Sequence, residues 1–273
     1  MSEATKKHPW HMVDPSPWPF VGSFAALVMA GGGIYYMHGG TIIGFLAGLA
    51  ILFITFYGWW RDVIREANSG HEHTEPVKHG LRMGMVLFIA SEVMFFFAFF
   101  WAYFHASVPF LSVVANTVWP PEGIVPLETW TLPFLNTLIL LTSGATVTYA
   151  HHAVILNDRK KMIRGTGLTV LLGFLFLSLQ AVEYSHAAFS IKDGIYPSTF
   201  YLATGFHGFH VLVGACFLAV CYFRMLKGDF TPKQHIGFEA AAWYWHFVDV
   251  VWLFLFVCVY WWGSFGYAGP TGH

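Results

Sequence analysis

The chain has 273 residues, of which 56% are apolar and only 11% charged, with a formal net charge of −1. A soluble globular domain carries roughly a quarter charged residues, so this composition excludes an ordinary water-facing surface, and no basic excess points to nucleic acid. Phe occurs 28 times and Trp 12 times, which suits a chain whose solvent is lipid.

A membrane-spanning helix needs about 20 mainly apolar residues. In chain order, seven stretches qualify: Phe20–Met37, Thr41–Trp60, Leu81–Phe104, Leu132–Leu156, Met162–Phe189, Thr199–Met225 and Phe238–Trp262. Polar breaks separate them, among them Arg61-Asp62-Val63-Ile64-Arg65-Glu66, Asn157-Asp158-Arg159-Lys160-Lys161 and Lys227-Gly228-Asp229. The predicted fold is all-α and integral to a membrane. Its predicted organisation is an N-terminal tail with helices one and two (1–65), a polar linker (66–79) carrying His71, His73 and His79, a five-helix bundle (80–264) and a C-terminal tail (265–273). The loop His105–Thr131 contains Trp119-Pro120-Pro121-Glu122-Gly123 and neither Lys nor Arg. Cys216, Cys221 and Cys258 all lie in apolar stretches and read as small packing residues rather than disulfide or metal partners.

Orientation follows from Lys and Arg. Alternating the loops between two sides places 13 of the 14 basic residues on the side of the N-terminus and leaves Lys192 alone on the other. The positive-inside rule then puts the N-terminus in the cytoplasm, or the equivalent matrix, and the C-terminus opposite.

Ionisable groups at bilayer depth are costly and mark candidate sites. Glu92 lies near the middle of helix three, where it is expected to be a neutral carboxyl bonded to a neighbouring helix or a group that handles protons. His207 and His210 share one face of helix six, while Glu239, His246 and Asp249 line one face of helix seven. Glu183 and His186 stand near the end of helix five. This set reads either as metal or haem ligands or as an interhelical hydrogen-bond network. Gly205 and Gly208, which flank His207, suggest close helix approach and favour packing. Trp59, Trp60, Arg61 and Arg65, with Arg82 and Arg224 on the same side, supply aromatic and cationic groups suited to phospholipid headgroups.

The run from Gly237 to Leu253, Gly-Phe-Glu-Ala-Ala-Ala-Trp-Tyr-Trp-His-Phe-Val-Asp-Val-Val-Trp-Leu, resembles the last helix of cytochrome c oxidase subunit III. Similar matches occur in order at Asp14–Pro19, Trp59–Glu66, Ser91–Phe96, Trp119-Pro120-Pro121, Ala150-His151-His152, Glu183-Tyr184 and Ala203–Gly208. The resemblance implies seven helices split two plus five by a V-shaped, lipid-filled cleft, and no haem, copper or other metal in this chain. It implies direct binding to oxidase subunit I, with subunit II in the same complex and cytochrome c as the substrate of that complex. Haem and copper would reside in the partner subunits, and structural phospholipids in this one. The subunit would stabilise subunit I and support proton uptake in an enzyme that moves electrons from cytochrome c to oxygen and pumps protons across a bacterial or mitochondrial inner membrane. The family's lipid-contacting positions fall on Trp60, Arg65, Glu66, His73, Phe88, Arg224 and Lys227, and its buried glutamate on Glu92. The resemblance favours a structural role for the histidines and implies no catalytic residue in this chain.

Three other readings compete. The third subunit of a quinol oxidase is a close relative that usually lacks the first two helices. A stand-alone haem carrier would use His207, His210 and His246. A proton-coupled transporter built on Glu92 and Asp249 would need broken helices or repeated halves, and neither is visible in the sequence.

Overall fold

A computed structural model of the chain describes residues 9–70, 73–108 and 119–265. Most of the expected C-terminal tail, His71 of the linker and residues 109–118 of the loop His105–Thr131 lie outside these residues. Seven helices form: α1 (Trp18–Met37), α2 (Ile43–Asn68), α3 (Glu75–Ser107), α4 (Leu132–Ile155), α5 (Arg159–His186), α6 (Ile195–Lys227) and α7 (Ile236–Leu255). α7 continues as a π-helical turn over Phe256–Trp261 and a 3₁₀ turn over Trp262–Ser264. Each of the seven is long and apolar enough to cross a membrane, and no strand forms among the described residues. The chain is thus the all-α, seven-span protein that hydropathy implies.

The helices outrun their apolar segments at the polar ends. α2 runs on through Arg61 and Arg65 to Asn68, and α3 begins at Glu75. Only residues 69–74 separate them, so much of the linker expected over 66–79 is helical. Hydropathy marks where lipid ends, whereas backbone hydrogen bonding continues into the headgroup layer wherever no Pro or Gly stops it.

The chain divides into two compact units, residues 1–81 and 82–273. In the first, α1 and α2 are an antiparallel pair joined by a short turn with Gly39 at φ +87°. Glycines permit the close approach. A Cβ at Gly48 would strike the Met29 backbone, and one at Gly32 would strike the backbone of Gly44 and Phe45. The Trp18 ring lies over Gly58, and its Nε1 donates to Asp62 Oδ2 at 2.6 Å.

In the second unit α7 is the most enclosed span. Its Trp245 is fully buried and touches three other helices. The indole fits against Gly173 on α5 and Gly214 on α6, and Nε1 donates to Ser143 Oγ on α4 at 2.9 Å. Two turns on, Trp252 Nε1 donates to Thr137 Oγ1, also at 2.9 Å. α4 and α5 meet along small residues, with Thr146 and Thr169 hydroxyls 2.7 Å apart and Ala150 against Gly165. Small residues of this kind let membrane helices gain dispersion contacts that lipid does not offer. Gly205 and Gly208 do not serve this purpose. A Cβ at Gly205 meets open space, and one at Gly208 would only graze Leu177 at 4.0 Å. α3 is held to its neighbours by long side chains, among them Phe88 stacked on Tyr244 with centroids 6.2 Å apart.

Asp158, in the polar break before α5, caps that helix by accepting from Lys161 N at 3.1 Å, and its carboxylate pairs with Lys161 Nζ at 3.0 Å. The Lys161 hydrogen bonds hold this carboxyl below its ordinary value. A depressed folded-state value means that the stabilisation is present above the unfolded value of about 4 and is lost as pH falls through the folded one. Asp158→Asn, which keeps the cap and removes the charge, is expected to lower the thermal midpoint slightly at neutral pH and not at all in strong acid. Thermal melts at the two pH values check this.

Candidate functional site

In the first unit, the expected headgroup residues form a polar cluster around the end of α2. Asp62 draws in Trp18, Arg61 at 3.4 Å and Arg65 at 3.6 Å. His11 approaches Glu66 at 3.9 Å and lies edge-on to His73, with centroids 6.3 Å apart. Trp60 packs near Phe56 and, like Arg65, keeps much of its side chain exposed. This arrangement places a guanidinium and an indole together at the polar end of α2, a chemistry suited to headgroups.

In the second unit, Lys227 ends α6 in an exposed position, and Phe88 is half exposed on α3. Arg224 is turned inward. Its Nε lies 3.4 Å from Asp229 Oδ2, its guanidinium sits 4.4 Å over the Phe230 ring, and the side chain is only 13% exposed. The folded chain therefore already supplies Arg224 with a carboxylate and a cation–π partner. Sequence reading treats Arg224 as equivalent to Arg65, yet the two differ greatly in access.

The membrane-depth polar groups resolve into several separate contacts. Arg82 on α3 chelates Glu239 on α7, with Nε 3.1 Å from both carboxylate oxygens and one terminal nitrogen at 3.0 Å. Deeper, Glu92 Oε2 lies 2.8 Å from His210 Nε2 on α6. The other ring nitrogen, Nδ1, is 2.7 Å from the Phe206 carbonyl. A carbonyl oxygen only accepts, so Nδ1 carries a proton. The second proton of the pair must then lie between Glu92 and Nε2, as a carboxylic acid donating to neutral imidazole or as imidazolium donating to carboxylate. Either way the pair is net neutral, which is the condition for burial in a membrane. Phe95, Phe96, Tyr244 and Phe247 surround the imidazole.

His207, on the same face of α6, reaches a different partner, the Val248 carbonyl at 3.2 Å, and packs on Trp252 and Phe176. His246 Nε2 donates to Thr148 Oγ1 at 3.0 Å, because the Thr148 hydroxyl is itself spent on the Gly144 carbonyl. Its Nδ1 lies 3.6 Å from Asp249 Oδ2. Gly144 makes room for Asp249, since a Cβ there would collide with that carboxylate. Glu183 accepts from Tyr260 at 2.6 Å and from Gln180 at 3.2 Å. His186 turns back to the Val182 carbonyl of its own helix and is exposed. The residues grouped by sequence as one network thus make distinct pairs on different helices. Among the described residues, no three His, Cys, Asp or Glu side chains converge as a metal site would require.

Sequence reading missed the polar partners Ser143, Thr137, Thr148 and Tyr260. A hydroxyl in an apolar run carries no signal of which helix it will meet. It also missed the π-helical turn at Phe256–Trp261, since hydropathy does not register a change in hydrogen-bond spacing.

Residues 8–264 match the protein family described as cytochrome c oxidase subunit III. The chain belongs to the cytochrome c oxidase subunit III family. It is 59% identical to cytochrome c oxidase subunit 3 of Prototheca wickerhamii, over 95% of this chain and 99% of that one. The corresponding protein of Marchantia polymorpha is 56% identical over 95% and 98% of the two chains, and that of Carassius auratus 54% identical over 96% and 100%. A match of this length and depth, to relatives of the cytochrome c type, decides against subunit III of a quinol oxidase. As a member of this family, the chain is a subunit of an oxidoreductase complex.

Proposed function

We propose that this chain is the non-redox subunit of a respiratory complex in which electrons pass from cytochrome c to oxygen while protons are pumped. The observation that carries the reading is the near-full-length relationship to cytochrome c oxidase subunits 3. The chemistry of the residues agrees with it. His207, His210 and His246 each have a ring nitrogen within hydrogen-bond reach of a carbonyl, carboxyl or hydroxyl of the chain itself. The chain docks directly on subunit I, which it stabilises, in a complex that includes subunit II; haem and copper belong to those partners. The N-terminus faces the cytoplasm or matrix, and the Glu92–His210 pair and the cytoplasmic polar rim support proton uptake. A tagged chain extracted in mild detergent is expected to bring down a larger subunit containing haem and copper. The separated chain is expected to show no Soret band and no stoichiometric copper. Stoichiometric haem or copper in the separated chain would overturn the proposal.

Within that reading, Trp60, Arg65, Glu66 and His73 of the first unit and Phe88, Arg224 and Lys227 of the second bind phospholipids. Arg65, with 70% of its side chain exposed, is the stronger headgroup ligand, and Arg224, only 13% exposed, the weaker one. Arg65→Ala is expected to reduce the phospholipid retained per purified complex, and Arg65→Lys to retain most of it. Lipid mass spectrometry after extensive washing reads this out. Unchanged retention in Arg65→Ala would remove Arg65 from the site.

A further inference from the structure

Among the buried side-chain polar atoms of the second unit that find no partner within the chain are Asn136 Nδ2 and Oδ1 on α4 and Gln180 Oε1 and Glu183 Oε2 on α5. Their residues are 0%, 4% and 2% exposed. Gln180 and Glu183 are one turn apart on α5 and are tied together by Tyr260. The tyrosine donates to Glu183 Oε1 at 2.6 Å, and the Gln180 amide lies 3.2 Å from that oxygen and 3.3 Å from the Tyr260 hydroxyl.

The antiparallel register of α4 and α5 brings Asn136 to the same place. Thr146 faces Thr169 and Ala150 faces Gly165. Each step back along α4 is a step forward along α5, so continuing this register carries Asn136 to the level of residues 179–180. Asn136 also shares the buried stripe of α4 with Leu140, Ser143, Val147 and Ala150. The adjoining Thr137 accepts from Trp252, whose ring lies 4.7 Å from Phe176 and 5.7 Å from Tyr260. Those rings, with Phe200 at 5.4 Å from Tyr260, wall the group off.

Buried amide and carboxyl groups left unpartnered are each strongly disfavoured. The unpartnered set consists of three acceptor oxygens and one NH₂ donor. A water molecule is complementary to it, with two O–H groups for two of the oxygens and a lone pair for an Asn136 N–H. We propose that Asn136, Gln180 and Glu183 form an internal water-binding site, closed by Trp252 and Tyr260, in which the water bridges α4 to α5. The site is independent of the lipid-facing residues and of the Glu92–His210 pair. It adds a polar tie to two helices that also meet at Thr146–Thr169 and Ala150–Gly165.

The test is a high-resolution cryo-EM map of the intact complex purified from its membrane, for the native chain and for Glu183→Gln and Asn136→Leu. Native and Glu183→Gln maps should both show a non-protein peak about 2.7–3.2 Å from Gln180 Oε1 and from residue 183. Asn136→Leu should lose the peak and melt at a lower temperature than Glu183→Gln. If Asn136→Leu does not assemble, the first two maps decide alone. Direct bonds from the Asn136 amide to Glu183 and Gln180 with no peak between would overturn the proposal. So would a peak with four or more oxygen ligands at cation distances that disappears in Glu183→Gln.

Discussion

Trp245→Ala is expected to be the most damaging single side-chain truncation in the five-helix unit, costing about 3 kcal/mol. That value is at the low end of the range for Trp→Ala in soluble cores. The low end is appropriate because lipid is as apolar as the protein interior, so the water-to-oil transfer contribution largely drops out and the lost dispersion contacts remain. The indole fills a slot whose walls are the bare backbones at Gly173 and Gly214, and neither wall has a side chain that could relax inward. Its N–H bond to Ser143 at 2.9 Å is lost as well, leaving that hydroxyl with only its short bond to the Leu140 carbonyl. Gly173→Ala makes the converse test, because its Cβ would come within 2.6 Å of the Trp245 ring. Each substitution is expected to lower the temperature at which the chain unfolds or dissociates in detergent. The double variant Gly173→Ala, Trp245→Ala should be less impaired than the sum of the singles, since the methyl enters space the indole has left. Additive losses would show that the slot is not what the two residues share.

The second large effect is expected at Glu92 and His210, and it depends on which atom is removed. Glu92→Gln should assemble normally and retain most oxygen-reduction activity, because the Gln amide can donate to His210 Nε2 while Nδ1 remains on the Phe206 carbonyl. Glu92→Ala should weaken packing by about 1–3 kcal/mol, the cost of leaving a buried imidazole nitrogen without a partner. His210→Phe strands the carboxyl instead and belongs in the same range. Turnover, proton stoichiometry and thermal stability of the purified mutant complexes measure the three cases. Near-complete loss of turnover in a correctly assembled Glu92→Gln complex would mean that the exchangeable proton, and not the hydrogen bond, is what the site supplies.

Much of the fold was legible because a bilayer admits few solutions. Apolar segments long enough to span must become helices, since no water is present to satisfy the backbone. The number of spans and their approximate limits therefore follow from composition along the chain. The family was legible too, through long motifs such as Gly237–Leu253, and the comparisons with relatives agree with it. Glu92 and the histidines could be singled out as costly groups in need of partners.

Partner choice was not legible. His207 and His210 are three residues apart on one face, yet one meets a backbone carbonyl of α7 and the other a carboxyl of α3. Gly205 and Gly208 look like packing glycines beside His207, but the close approaches occur at Gly144, Gly165, Gly173 and Gly214. Arg65 and Arg224 have the same chemistry and the same sidedness, and only the fold turns one outward and clamps the other between Asp229 and Phe230. The physical reason is common to all three cases. Hydropathy reports the free energy of moving a residue from water to lipid, which depends on that residue alone, and so the sequence by itself determined the spans, their number and the family. Helix azimuth and register depend on dispersion contacts and hydrogen bonds between segments far apart in the chain, and those are decided only when the helices pack.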